Sequence, residues 1–149
     1  MAQSGPSKRL RRLRWMISAL CAIVIAINFM DRSTIAIANV SIRQEFGLSA
    51  TAMGGLISAW SFAYALSQIP AGFLVDRVGS RRLLGIALFV WSVAQAAGGF
   101  AVSFTQLLLT RAALGVSEAP AWPTSARVTG LWYRANERGL PTGIYTGSS

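Results

Sequence analysis

Four ionisable side chains lie in stretches that are otherwise apolar: Asp31, Arg32, Arg111 and Glu118. A guanidinium presents a fixed fork of N–H donors that matches a carboxylate, so an arginine in a water-filled intramembrane cavity makes an anion site. A carboxylate whose protonation depends on whether its arginine partner is engaged by that anion can tie proton movement to anion movement. Charges held in hydrocarbon cost about 2.5–3.5 kcal/mol each, so Asp31 and Arg32 together cost about 5–7 kcal/mol. Seven Ile, Leu, Val or Phe residues in the uncharged run over 15–30 return only about 2–4 kcal/mol. The deficit points to a functional pair. The structural alternative is a neutral ion pair that fixes helix packing, or side chains that snorkel from a helix end.

Spacing arranges these groups on faces. Arg111 and Glu118 are seven residues apart, about 20° short of two helical turns, with Gly115 between them on the same face. A glycine there lets a neighbouring backbone or a ligand come close. Trp122 and Ser125 extend that face. Asn28 sits one turn before Arg32, and Asn39 two turns after it. Trp60, Ser61, Tyr64, Ser67 and Gln68 form a polar-aromatic stripe at helical spacing, suited either to interhelical hydrogen bonds or to lining a cavity. Ser92, Gln95 and Gly99 look like packing residues.

The elements that must carry these faces are membrane helices. Only 13% of the 149 residues are charged and 53% are hydrophobic. Too much apolar surface is present for disorder, and too little charge to cover a soluble globule. Histidine is absent and Cys21 is the single cysteine, which excludes a disulfide framework, a Cys/His zinc site and a His-based triad. No phosphate-cradling loop is present, so neither metal nor cofactor is expected and no enzymatic role is read. Cys21 reads as a small buried hydrophobe. The net charge of +9 raises the question of nucleic acid, but the basic residues punctuate hydrophobic segments rather than share one solvated face.

Apolar runs predict an all-α integral membrane protein with helices over about 15–38, 51–75, 82–102 and 106–132, and the start of a fifth near Arg138. Residues 103–105 read as a short turn, residues 1–14 as a basic cytoplasmic tail, and residues 1–7 as its floppy end. Lys8, Arg9, Arg11, Arg12 and Arg14 precede the first span. Asp76, Arg77, Arg81 and Arg82 lie between the second and third, and Arg127, Arg134, Glu137 and Arg138 at the end of the fourth and in its loop. Together they carry the whole net charge of +9, while the segments at the other ends of the spans are neutral. The excess of Lys and Arg predicts a cytoplasmic N-terminus.

After the second span stands Gly72-Phe73-Leu74-Val75-Asp76-Arg77-Val78-Gly79-Ser80-Arg81-Arg82. It resembles the G-x-L-a-D-r-x-G-r-k signature of the major facilitator superfamily, with Ser80 at one basic position. Physically, Gly72 and Gly79 suit close helix approach and a tight turn. Asp76 can cap a helix or pair with Arg77 or Arg81 to latch the cytoplasmic side. The pattern Arg111-x-x-Leu114-Gly115-x-x-Glu118-Ala119-Pro120-x-x-Pro123 resembles that of the anion:cation symporter family within that superfamily. Asn28-Phe29-Met30-Asp31-Arg32 resembles the same family's first-helix motif, in which several sugar-acid carriers have Tyr where Phe29 stands. The run 132–139 resembles its W-F-P-x-x-E-R-G, with Arg134 in place of proline.

The resemblance implies twelve helices in two halves, of which this chain supplies an N-terminal third and lacks the C-terminal half. It implies a proton-coupled importer of small organic anions, such as sugar acids or aromatic carboxylates, in the inner membrane. Arg32 would clamp the substrate carboxylate, with Asn28, Tyr64 and Gln68 at the substrate. Asp31 and Glu118 would carry the proton, Arg111 would be their switching ion-pair partner, and residues 72–81 the conformational gate. The alternatives are another major facilitator, for drugs or sugars, and a truncated membrane protein that transports nothing.

Overall fold

The computed structural model describes residues 8–147; the tail expected over residues 1–7 lies outside them. Seven α-helices follow in order: α1 (Lys8–Ile37), α2 (Asn39–Glu45), α3 (Ala50–Val78), α4 (Ser80–Gly99), α5 (Phe104–Glu118), α6 (Ala121–Trp132) and α7 (Gly139–Thr146). A 3-10 turn over Ala135–Glu137 precedes α7.

The first span is longer than its apolar run. Lys, Arg and Leu are good helix formers, so the basic segment over residues 8–14 is helical and runs straight into the apolar part of α1. It ends at Ile37, and Ala38 leads into the short α2. Asn39 therefore opens a separate helix instead of continuing the face of Arg32, as the spacing had suggested. Helices α2 and α3 meet at 120°, through Gly47 at φ +60°.

Ser49 caps α3 by accepting from the Ala52 N–H at 3.1 Å, the role expected of a hydroxyl at a helix start. The turn predicted at 103–105 is a cap too. Ser103 Oγ accepts from the Gln106 N–H at 3.3 Å, and Gln106 Oε1 accepts from the Val102 N–H at 2.9 Å. This reciprocal arrangement starts α5 at Phe104. The fourth predicted span is divided into α5 and α6 at Ala119 and Pro120. Pro120 is the N-cap of α6 and Pro123 lies in its first turn, where a helix has no N–H bond to lose. Ala119 and Pro120 keep right-handed helical dihedrals, so the span continues through the break.

By length and composition, α1 and α4 each suffice to cross a membrane, and the bent pair α2–α3 adds a third candidate. The division at Pro120 leaves α5 and α6 too short to qualify singly. Large apolar side chains such as Phe62, Ile69, Phe89 and Leu109 point outward, as they do where the surrounding solvent is lipid. The interior forms three apolar layers: Ile35, Met53, Leu56 and Leu107 near α2; Val24, Trp91, Ala94, Leu114 and Ala121 in the middle; Cys21, Ile25 and Tyr145 at the other end. Trp122 packs edge-on against Tyr145, ring centroids 5.9 Å apart. It belongs to that last layer and does not extend the face of Arg111 and Glu118.

Candidate functional site

Arg32, on the inner face of α1, is held from two sides. Its Nη2 donates to Asn28 Oδ1, one turn earlier, at 2.6 Å. Its guanidinium carbon lies 4.6 Å from the Trp60 ring centroid and 4.9 Å from that of Tyr64. Those two rings stack at 5.2 Å, as residues one helical turn apart on α3 can. Cation–π attraction and a charge-assisted hydrogen bond thus fix the cation, while its buried Nε has no partner.

Asp31 faces elsewhere. Trp91 Nε1 donates to its Oδ2 at 2.6 Å and Gln95 Nε2 to its Oδ1 at 3.2 Å. Both donors come from α4, the helix whose polar residues the sequence suggested were for packing alone. Trp91 and Gln95 are four residues apart and share one face, so an indole N–H above an amide on an otherwise apolar helix was the available signal. Among the described residues no carboxylate–guanidinium pair closes at the site; both ion pairs within 4.0 Å lie elsewhere. The neutral ion pair that would have made Asp31 and Arg32 purely structural is not formed.

Glu118 is completely buried at the end of α5, and both of its carboxyl oxygens lack a partner. Arg111, two turns earlier, lies close enough to feel the charge of both Asp31 and Glu118. Gly115 explains how α5 reaches the site. A Cβ there would strike the Trp60 carbonyl oxygen and stand 3.0 Å from the Tyr64 nitrogen. Only glycine lets α5 approach the backbone of α3 at the two aromatic residues that carry Arg32.

A cavity of about 100 Å³ opens among Asp31, Arg32, Ile35, Trp60, Ser61 and Arg111. Asp31, Arg32 and Arg111 thus line one cavity. Tyr64 stands beside Arg32 and Gln68 beside Tyr64. Asn28 does not face the cavity: it is 2% exposed, with its oxygen committed to Arg32.

At the opposite end from α2, Asp76 pairs with Arg127 of α6, rather than with Arg77 or Arg81 as the local sequence suggested. Residues one and five positions along the chain are near in sequence, but the end of α6 is nearer in space. Gly79 takes φ +87° and is both the last cap of α3 and the first of α4, so the tight turn exists. A Cβ at Gly72 would meet nothing within 4 Å, so the close approach expected at Gly72 does not occur among the described residues. Nearby, Arg14 reaches Glu137 at 3.4 Å, Ser18 Oγ and the Tyr133 hydroxyl share a hydrogen bond at 2.8 Å, and Arg138 donates to the carbonyls of Tyr133 and Gly130. The first two fasten the 132–139 segment to the start of α1, and the Arg138 bonds tie that segment to the end of α6.

The sequence matches the Major Facilitator Superfamily across residues 21–149, and the chain belongs to that family. It is 41% identical over 143 residues to a probable L-galactonate transporter of Escherichia coli K12, an alignment covering 96% of this chain and 32% of the relative. A probable galactarate/D-glucarate transporter of Pseudomonas putida is 38% identical over 140 residues, covering 90% of this chain and 31% of the relative. Among solved structures, a bacterial homologue of the human lysosomal transporter Spinster, in an inward-facing unoccupied conformation, superposes with a TM-score of 0.85 at 28% identity. The superposition covers 96% of this chain and 29% of that one. The chain spans about a third of the length of the curated relatives it matches.

Proposed function

We propose that this chain is the N-terminal part of a proton-coupled carrier of sugar acids in the bacterial inner membrane. The observation that carries the reading is Arg32: an oriented cation that lines the cavity and, among the described residues, closes no ion pair, beside the acids Asp31 and Glu118. A sugar-acid carboxylate complements such a cation, as one carboxylate can accept two parallel N–H bonds from a guanidinium. That the chain's relatives include probable transporters of L-galactonate and of galactarate/D-glucarate supports the choice of anion. The cavity is well below the ~300 Å³ usual for ligand sites, consistent with a second wall supplied by further helices of a full-length carrier. The basic residues of the N-terminus and of the loops after α3 and α6 would then face the cytoplasm. There Asp76, Arg127 and the turn at Gly79 act as the gate when one half rocks against the other.

In the full-length carrier, Asp31→Asn and Glu118→Gln keep shape and remove titration. Each should abolish uptake driven by a proton gradient, while counterflow exchange, which needs no net proton movement, survives in at least one. Well-folded variants that both retain driven uptake overturn the proton-coupling reading.

A further inference from the structure

The buried region around Glu118 holds a matched set of unused groups. On one side are the two oxygens of Glu118. On the other are three N–H donors without a partner: Asn28 Nδ2, Trp60 Nε1 and Arg32 Nε. Asn28 and Trp60 both face the Glu118 carboxyl, and neither closes a hydrogen bond to it. Unsatisfied polar atoms at full burial are rare enough that each calls for a reason. Here the donors and acceptors are complementary and adjacent.

The same two residues hold Arg32. Asn28 does so through its oxygen at 2.6 Å, and Trp60 through its ring face at 4.6 Å. Each therefore has one part on the cation and another directed at the acid. We propose that Asn28 and Trp60 are positioning residues that transmit the protonation state of Glu118 to Arg32, linking the proton site to the anion site. The proposal rests on the proton-coupled reading above and names the parts that do the coupling.

When the Glu118 O–H bond breaks and its proton passes to water that reaches the buried acid as the carrier opens, the carboxylate gains full acceptor strength. The Asn28 amide and the Trp60 indole then turn their N–H groups onto it. Both groups are rigid planes, so this motion shifts the Asn28 oxygen and the Trp60 ring face beneath Arg32. The guanidinium is re-aimed and its hold on the anion changes. Reprotonation returns the donors and restores the clamp. The charged and titratable groups facing Glu118 are Arg32 and Asp31 from α1, Tyr64 from α3 and Arg111 on its own helix. None of these has both a direct hold on Arg32 and an idle N–H toward Glu118 as Asn28 and Trp60 do.

Trp60→Phe separates the two roles, because it keeps an aromatic face for Arg32 and deletes only the N–H. In the full-length carrier reconstituted in vesicles, galactonate counterflow should fall less than proton-driven accumulation, since a Phe face still holds a cation. Proton-driven accumulation should fall at least about tenfold, the loss of a hydrogen bond to a charged group. Replacing Trp60 by benzothienylalanine, which swaps the N–H for sulfur at constant shape, gives the same reading if the Phe variant folds poorly. Wild-type accumulation in either folded variant overturns the linkage, as does a parallel loss of counterflow and driven uptake. Wild-type carrier that shows no proton-driven galactonate uptake overturns the underlying functional reading instead.

Discussion

Replacing Arg32 by Lys keeps the charge and removes the fork. In the structure one edge of the guanidinium is committed to Asn28 at 2.6 Å and its face rests on Trp60 and Tyr64. The guanidinium lines the cavity and, among the described residues, closes no ion pair within 4.0 Å. A lysine ammonium is a compact point charge. Held by Asn28, it can offer a carboxylate one bond where the guanidinium offers two in parallel. A hydrogen bond between charged groups is worth about 1.5–3 kcal/mol, so the anion should bind about 10- to 150-fold more weakly, at about 1.4 kcal/mol per factor of ten. The assay is galactonate binding to the purified full-length carrier, with a melting measurement to establish folding. Near-normal affinity in a folded Arg32→Lys carrier would refute the argument: Arg32 would then be a structural cation and the anion clamp would lie elsewhere.

Gly115→Ala tests the approach of α5 to α3. The gain of about 1 kcal/mol in helix propensity is set against a Cβ pressed on backbone atoms that have no rotamer to escape into, a class of overpacking that costs about 1–3 kcal/mol. The melting temperature of the full-length carrier should fall, and galactonate affinity with it, because Trp60 and Tyr64 are displaced; an unchanged or raised melting temperature would contradict the packing. Orientation is checked by single-cysteine labelling of intact cells with a membrane-impermeant maleimide. Ser103→Cys should react from outside and Lys8→Cys only after the cells are opened, and the reverse pattern would invert the proposed topology.

Within one helix the chain is a reliable guide, because the 3.6-residue repeat turns sequence spacing into spatial neighbourhood. Asn28 with Arg32, Trp60 with Tyr64, and Gly115 between Arg111 and Glu118 could all be placed on shared faces from spacing. The cost of charge in hydrocarbon marked Asp31, Arg32, Arg111 and Glu118 as a site, and the short motifs carried the family. Even local reading failed where termini compete. Ser103 became a cap, and Ala38 ended α1 before Asn39 could join its face.

What spacing could not supply was partners across helices. Asp31 takes its hydrogen bonds from Trp91 and Gln95, about sixty residues on. Asp76 takes Arg127 in preference to the arginines beside it in the chain. Ser18 meets Tyr133, and Asn28 turns away from the cavity to stand between Arg32 and Glu118. Such choices depend on how closely two helices approach and at what rotation. Those quantities are set by interdigitating side chains along whole interfaces, as at Gly115, and no periodicity within either helix encodes them. The sequence by itself determined which residues form the charged site and which helices carry it; the tertiary structure decided which of them touch.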